Sequence, residues 1–332
     1  MKKILFVTDA WAPQVNGVVR VLEALIPILK ARGYEITVIE PGQFRTVPLP
    51  LYPEIRLALF SKRRIKKLIE GARPDAVCVV TEGPLGWAAR AVCRELGIPF
   101  TSWYHSHFQL YVDVRLRGLL RPVYALIRRF HAPAAHTMVS TESLKKELEA
   151  VGFKNLVIMP LGVDVDFFMR NPAPALPTLP KPVFVYFSRL APEKNPEEFM
   201  KLELPGTKLV IGDGPLRSKL ERRYGKSNRF VGYKHGQELV DWLSLASVFV
   251  FPSRTETFGL VALEALACGI PVAAHDVMGP GDILTEGKDG YLSDDLQEAA
   301  IKCLELSPEA CRRKAEQYSW GHSADAFIKN IF

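Results

Sequence analysis

Three loops of the sequence carry groups suited to a ligand that has both phosphates and hydroxyls. In 187–195 (FSRLAPEKN), Arg189 and Lys194 share one loop after an apolar run. Two cations so placed suit a diphosphate, and they can neutralise charge gathering on a leaving group without a metal. A solvated charged turn is the plainer alternative. In 251–264 (FPSRTETFGLVALE), Glu256 and Glu264 stand eight residues apart, the first in a loop after a strand and the second about two turns into a helix. Carboxylates accept hydrogen bonds from vicinal hydroxyls of the kind that a sugar and a ribose present. The backbone N–H groups of Phe258, Gly259 and Leu260 open that helix and can hold a phosphate. In 9–18 (DAWAPQVNGV), Gly17 stands where a helix begins, offering free N–H groups and a partial positive charge. A plain glycine in a strand–helix turn fits as well. Neither GxGxxG nor a Walker lysine is present, so dinucleotide dehydrogenases and P-loop NTPases lose their fingerprints. His105 and His107 (103–108, WYHSHF) have the spacing of a metal pair, but no third ligand lies near them in sequence.

These loops need rigid elements behind them. Apolar runs at 4–8, 36–39, 76–80, 100–103, 137–139 and 156–159 read as strands, with helix-like stretches at 18–31, 61–70, 85–96, 119–130 and 143–150. Strands that are apolar throughout and separated by helices indicate a parallel sheet covered on both faces. Segment 171–182 (NPAPALPTLPKP) has five prolines in twelve residues, which stops helix and sheet alike and reads as a semi-rigid interdomain linker. The alternation then restarts. Strands are expected at 183–187, 208–211, 229–231, 248–251, 271–274 and 290–292, and helices at 215–224, 237–245, 259–267, 294–306 and 324–331. The fold class is α/β, with two doubly wound domains at 1–170 and 183–319. In such sheets ligands bind outside the carboxyl ends of the strands, which is where the three loops fall.

A length of 332 residues suits two domains, and 48% hydrophobic with 24% charged residues is ordinary globular composition. No apolar run reaches the roughly 18 residues that span a bilayer, and the N-terminus (MKKILFVTDA) reads as a buried strand rather than a signal peptide. Five cysteines with no ligand spacing read as reduced thiols of a cytoplasmic protein. The charge is lopsided: residues 1–165 carry 23 Lys and Arg against 14 Asp and Glu, the remainder 20 against 22. From 114 to 141 there is no acidic residue, yet Arg115, Arg117, Arg121, Arg128 and Arg129 alternate with apolar residues, and 61–68 (SKRRIKKL) adds five cations. A basic amphipathic helix suits an anionic bilayer surface. A helix packed on its sheet with solvated arginines has the same composition.

Taken together, DAWAPQVNGV, SRLAPEKN, the GDGP turn at 212–215, the Glu256-to-Glu264 spacing and MPLGVDVDFF at 159–168 resemble the retaining glycosyltransferases of family 4. The resemblance extends over essentially the whole chain and is nearest to bacterial enzymes of the phosphatidylinositol-mannoside mannosyltransferase and glycosyl-diacylglycerol synthase type. It implies a GT-B fold, in which two Rossmann-like domains face each other across a cleft and a C-terminal helix at about 320–332 packs back on the first. It implies that Arg189 and Lys194 bind the pyrophosphate of a nucleotide diphospho-sugar, with Gly17 adding a backbone contact. Glu256 would bind donor-sugar hydroxyls, Glu264 the ribose, and His105 would lie near the donor sugar. Gly212 belongs to the family's turn, and backbone around Tyr233 and Lys234 would border the base. No metal or other cofactor is expected, and Asp164-Val165-Asp166 reads as a capped turn rather than a metal motif.

The expected reaction is hexosyl transfer with retention by front-face displacement. UDP-glucose or UDP-glucuronate is the favoured donor, with GDP-mannose second, and a lipid such as diacylglycerol the acceptor, at the inner face of the cytoplasmic membrane. A soluble, polysaccharide or lipopolysaccharide acceptor stays open, as does a nucleotide-sugar epimerase of the same fold. Nucleic-acid binding is disfavoured, because the charge sits on amphipathic faces rather than among stacked aromatics.

Overall fold

Side chains that are apolar on both faces of a strand force it into the middle of a layered sheet, and both halves of the chain follow that rule. A computed structural model describes residues 1–14, 16–49, 52–59, 61–105 and 120–331. They form two units, Met1–Leu161 with Trp320–Phe332, and Gly162–Ser319.

The first unit runs β1 (Lys3–Val7), α1 (Gly17–Ala31), β2 (Glu35–Ile39), β3 (Thr46–Leu49), β4 (Tyr52–Ala58), α2 (Lys62–Ala72), β5 (Ala76–Val79), α3 (Pro84–Leu96), β6 (Thr101–Trp103), α4 (Leu120–His131), β7 (Thr137–Val139), α5 (Glu142–Ala150) and β8 (Leu156–Ile158). Six strands pair in parallel in the order β2-β1-β5-β6-β7-β8, while β3 and β4 form a separate antiparallel pair. That hairpin is absent from the expectations above, because its prolines hide the alternation. Helix α1 starts where Asn16 accepts the Val19 N–H at 3.0 Å, and buries Leu22, Leu25 and Leu29 on one face.

The second unit runs β9 (Val183–Phe187), α6 (Pro196–Lys201), β10 (Thr207–Ile211), α7 (Arg217–Tyr224), β11 (Arg229–Gly232), α8 (Gly236–Ser244), β12 (Val248–Phe251), α9 (Leu260–Ala267), β13 (Val272–Ala274), α10 (Pro280–Ile283), β14 (Gly290–Leu292), α11 (Leu296–Cys303) and α12 (Pro308–Ala315). Its six strands are also parallel, ordered β11-β10-β9-β12-β13-β14. All five residues of β9 are buried, and Phe184, Tyr186, Val210, Val248 and Val250 pack in one core with Leu296 and Ala300 of α11.

The proline-rich segment 171–182 is not a connection between units. Asn171 N–H donates to Ser244 Oγ at 2.8 Å, its side chain donates to Asp241 at 2.8 Å, and Lys181 Nζ donates to the Leu245 carbonyl at 2.5 Å. The segment is strapped to α8, and the second unit begins before it, at Gly162. Proline ended the regular structure, but it did not release the chain from the surface. Asp164, from the DVD run, accepts the Phe167 N–H at 2.9 Å and so closes a turn.

The last helix, α13 (Trp320–Ile331), belongs to the first unit. Phe327 is fully buried and stacks on Phe6 of β1 with centroids 5.3 Å apart. Arg32 pairs with Asp325 at 2.7 Å, and His136 Nδ1 donates to the Asn330 carbonyl at 2.8 Å. Phe327→Ala leaves a cavity against β1 and is expected to lower stability by about 3–5 kcal/mol; urea denaturation followed by tryptophan fluorescence measures it.

Candidate functional site

In the second unit the first loop to consider follows β9. Ser188 and Leu190 donate their N–H groups to the carbonyls of Ile211 and Asp213 at 3.2 and 2.8 Å, which lays 188–190 along 211–213. The approach is possible because no side chain intervenes. A Cβ on Gly212 (φ +147°) would stand 2.0 Å from the Ser188 carbonyl oxygen, and one on Gly214 (φ +154°) 2.6 Å from that of Leu190. The GDGP turn is therefore the floor of the cation loop. The Tyr186 hydroxyl fastens the loop from below by donating to the Arg189 carbonyl at 2.9 Å. Burial holds that phenol well above its ordinary range, so it remains a donor.

Beyond Arg189, which is half-buried, a short 3₁₀ turn (Pro192–Lys194) ends at Asn195 in the left-handed region (φ 48°, ψ 43°). Lys194 Nζ lies 2.6 Å from Glu256 Oε1, with the two side chains only 22% and 10% exposed. The sequence expected these two residues at one ligand, and the fold brings them into contact. The Glu256 loop is tied to the same turn, since Ser253 Oγ and Thr255 Oγ1 both donate to the Glu193 carbonyl at 3.3 and 3.2 Å.

Glu256 leads into α9. Phe258 is buried, Gly259 is the residue before the helix at φ +94°, and Leu260 is its first residue. Glu264 stands one turn into α9, not two, and is 6% exposed, so its carboxylate is turned inward. The sequence reading missed Gly279, after β13. A Cβ there (φ +90°) would lie 2.7 Å from the Phe258 carbonyl oxygen and 3.0 Å from Glu256 Cβ, so this glycine lets a third loop close on Glu256. Its signal was the Gly-Pro-Gly run of MGPGD, a turn with no obvious reason.

The loop after β11 adjoins the GDGP turn through Gly212 N–H to the Gly232 carbonyl at 2.9 Å. Tyr233 is 41% exposed and stacks on His235 with centroids 5.9 Å apart. Lys234 turns to Glu238 at 2.5 Å, so its ammonium is engaged within this unit.

Two expected residues lie in the first unit. Gly17 is the first residue of α1, and a Cβ there would meet nothing within 4 Å, so packing does not demand glycine. His105 follows β6 and lies against Trp103 with centroids 4.4 Å apart. Burial, with a smaller push from His131, takes its imidazole down to about 3, so the ring is neutral near pH 7. His107 lies outside the described residues, as do Arg115 and Arg117. Asp9 was noted only as the residue that ends the first strand. It accepts the N–H groups of Leu85 and Gly86 at 2.8 and 3.2 Å and the Thr81 hydroxyl at 2.9 Å, so one carboxylate holds the β1 loop to the start of α3.

Comparison with known proteins matches the description "Glycosyltransferase Family 4" over residues 15–167 and "Glycosyl transferases group 1" over residues 168–317. The chain is 29% identical to the sulfoquinovosyl transferase SQD2 of Arabidopsis thaliana, over 98% of this chain and 72% of that one. It is 28% identical to a GDP-mannose-dependent alpha-mannosyltransferase of Mycobacterium tuberculosis, over 87% and 83% respectively. It is 25% identical to the alpha-monoglucosyldiacylglycerol synthase of Streptococcus pneumoniae, over 98% and 83%. Among solved structures, HepE of Anabaena, crystallised with UDP and glucose, superposes with a TM-score of 0.71 at 15% identity, each chain covered to 99%. Sucrose-phosphate synthase of Thermosynechococcus elongatus gives 0.75 at 18%, with 99% and 98% covered.

Burial raises the Asp9 carboxyl from 3.8 to about 6 despite its donors. Between those values the unfolded chain has released a proton that the folded chain retains, so this group's contribution to stability falls as pH rises. Asp9→Asn removes that slope. Relative to the variant, the wild type is expected to lose about 1 kcal/mol per pH unit between pH 4 and 6, as read by urea denaturation across that range.

Proposed function

Since the chain is a hexosyltransferase of glycosyltransferase family 4 with the GT-B fold, we propose that it moves a hexosyl group, with retention, from a nucleotide diphospho-sugar to a membrane lipid hydroxyl such as that of diacylglycerol. The observation that carries this reading is the Lys194–Glu256 contact, an ammonium and a carboxylate held together on two loops at the carboxyl edge of one sheet. The diphosphate draws Lys194, and donor-sugar hydroxyls donate to Glu256. Arg189, one turn back on the same loop, adds a planar donor fork for phosphate oxygens. The N–H groups at Phe258, Gly259 and Leu260 point their dipoles at the phosphates, and Glu264 receives ribose hydroxyls.

In the transition state charge builds on the departing diphosphate, and Arg189 and Lys194 meet it where it builds. The leaving phosphate oxygen then takes the acceptor's proton, so the reaction needs neither a protein nucleophile nor a metal. His105, which burial keeps neutral near pH 7, adds no charge to the first unit.

UDP-glucose or UDP-glucuronate is the favoured donor and GDP-mannose the second. The lipid acceptor is supported by relatives whose names include diacylglycerol and phosphatidylinositol products, and by the basic surface of the first unit. On α2, Arg63, Arg64 and Lys67 are exposed, whereas Lys62 and Lys66 are spent on Glu95 at 3.0 and 2.7 Å. On α4, Leu126 is 51% exposed beside the exposed Arg128 and Arg129. No helix of the described residues is long and apolar enough to cross a membrane. On the strength of the basic surface we place the enzyme peripherally, on an anionic bilayer at the inner face of the cytoplasmic membrane.

Arg189→Met and Lys194→Met are each expected to lower kcat about 10²–10³-fold, with EDTA leaving the wild-type rate unchanged; a rate abolished by EDTA overturns the metal-free scheme. Product NMR is expected to show the donor's anomeric configuration. In flotation, the protein is expected to rise with anionic vesicles and not with neutral ones, and equal behaviour with both removes the membrane assignment in favour of a soluble or polysaccharide acceptor.

A further inference from the structure

Four neighbouring strands of the second sheet, β9, β12, β13 and β14, are followed by segments that meet in one polar knot. Its centre is His275, fully buried just after β13. Nδ1 lies 3.1 Å from the Ser293 carbonyl oxygen, and Nε2 lies 3.0 Å from Glu198 Oε1 on α6. Two further charges face the pair. Asp294 Oδ1 is 3.9 Å from Nδ1, and Arg254, from the loop after β12, reaches Asp294 at 3.1 Å and Glu198 at 4.0 Å. The second Glu198 oxygen accepts from Asn195 Nδ2, and that amide also reaches the Pro252 carbonyl at 3.5 Å.

A carbonyl and a carboxylate are both acceptors only, whereas a neutral imidazole has a single N–H. With a neutral ring, one of the two contacts sets a lone pair of the fully buried imidazole against a lone pair of its acceptor, which is costly. One more proton between Nε2 and Oε1 removes the conflict. The knot then holds two cations, His275 and Arg254, against two anions, Glu198 and Asp294.

We propose that His275 and Glu198 hold this proton as an imidazolium–carboxylate pair, and that the pair makes Glu198 and Asn195 positioning residues for Lys194. Asn195 directly follows Lys194 and occupies the left-handed region, which a residue with a Cβ adopts at a cost. Its side chain, anchored on Glu198, fixes the direction in which the chain leaves the 3₁₀ turn, and thereby where the ammonium points relative to Glu256. The inference rests on the reading of Lys194 as a diphosphate ligand.

The test uses the full chain with UDP and with GDP as probes. Calorimetry is expected to show Glu198→Gln and Asn195→Gly each weakening the better-bound nucleotide about tenfold, with kcat/KM for the nucleotide sugar falling through KM. Asn195→Gly keeps the left-handed turn accessible, so its loss reports the severed anchor rather than a broken fold. In a Lys194→Met background both losses are expected to vanish; equal losses there overturn the positioning role. Nitrogen-15 histidine NMR of the free protein is expected to show both His275 ring nitrogens carrying hydrogen. A ring with one bare nitrogen overturns the shared proton. If the wild type binds neither nucleotide, the donor reading falls, while the NMR signature still decides the state of the ring.

Discussion

A lysine and a glutamate that close on each other at 2.6 Å, from loops more than sixty residues apart in sequence, set the condition that the rest of the second unit must meet. Either charge alone, only slightly exposed, would be expensive to hold. Together they keep each other in place, and a ligand with phosphates on one side and hydroxyls on the other can replace the contact with two of its own. The pair therefore stores the arrangement of the site. Its geometry depends on backbones that come unusually close, 188–190 against the GDGP turn and Gly279 against Glu256. Parallel strands deliver all these loops to one edge, and glycines let them settle there.

Both units secure their edge loops with a carboxylate, buried in the case of Asp9 and partly exposed in the case of Glu198. In the second unit Glu198 ties α6 to the segment after β13. In the first, Asp9 ties the β1 loop to the start of α3, so tightly that a Cβ on Gly83 would lie 2.4 Å from its Cγ. A further histidine, His131 at the end of α4, is buried between Ser102 at 2.8 Å and Glu82 at 3.2 Å, which fixes that helix to the loop after β5. Buried polar groups cost free energy unless they are fully bonded, and when bonded they favour a single arrangement.

The strands were legible because continuous burial writes itself as continuous apolarity. In β7, β9, β12 and β14 the expected and observed bounds agree, and in the other strands of the two parallel sheets they differ by one residue. The β3–β4 pair was missed because Pro48 and Pro53 break the pattern from which a strand is read. Segment 171–182 was misjudged for a related reason: proline content reports the absence of helix and sheet, but not whether side chains such as Asn171 and Lys181 bind a neighbour. Arg189, Lys194, Glu256 and Glu264 were singled out from their type and their place in the segments after strands, and the structure brings Lys194 and Glu256 into contact. Gly279 and Glu198 were not, since the first acts through what it lacks and the second through a histidine distant in sequence. Lys234 was expected to border the base through its backbone, and its side chain pairs with Glu238.

The return of α13 to the first unit has a consequence for how the chain is made. Phe6 finds its stacking partner in Phe327, and Arg32 its counter-charge in Asp325. During synthesis, a ribosome that has delivered every strand of the first sheet has still not delivered the residue that covers β1. That half-built layer waits, with an aromatic face uncovered, until α13 is translated, more than 300 residues along the chain from β1.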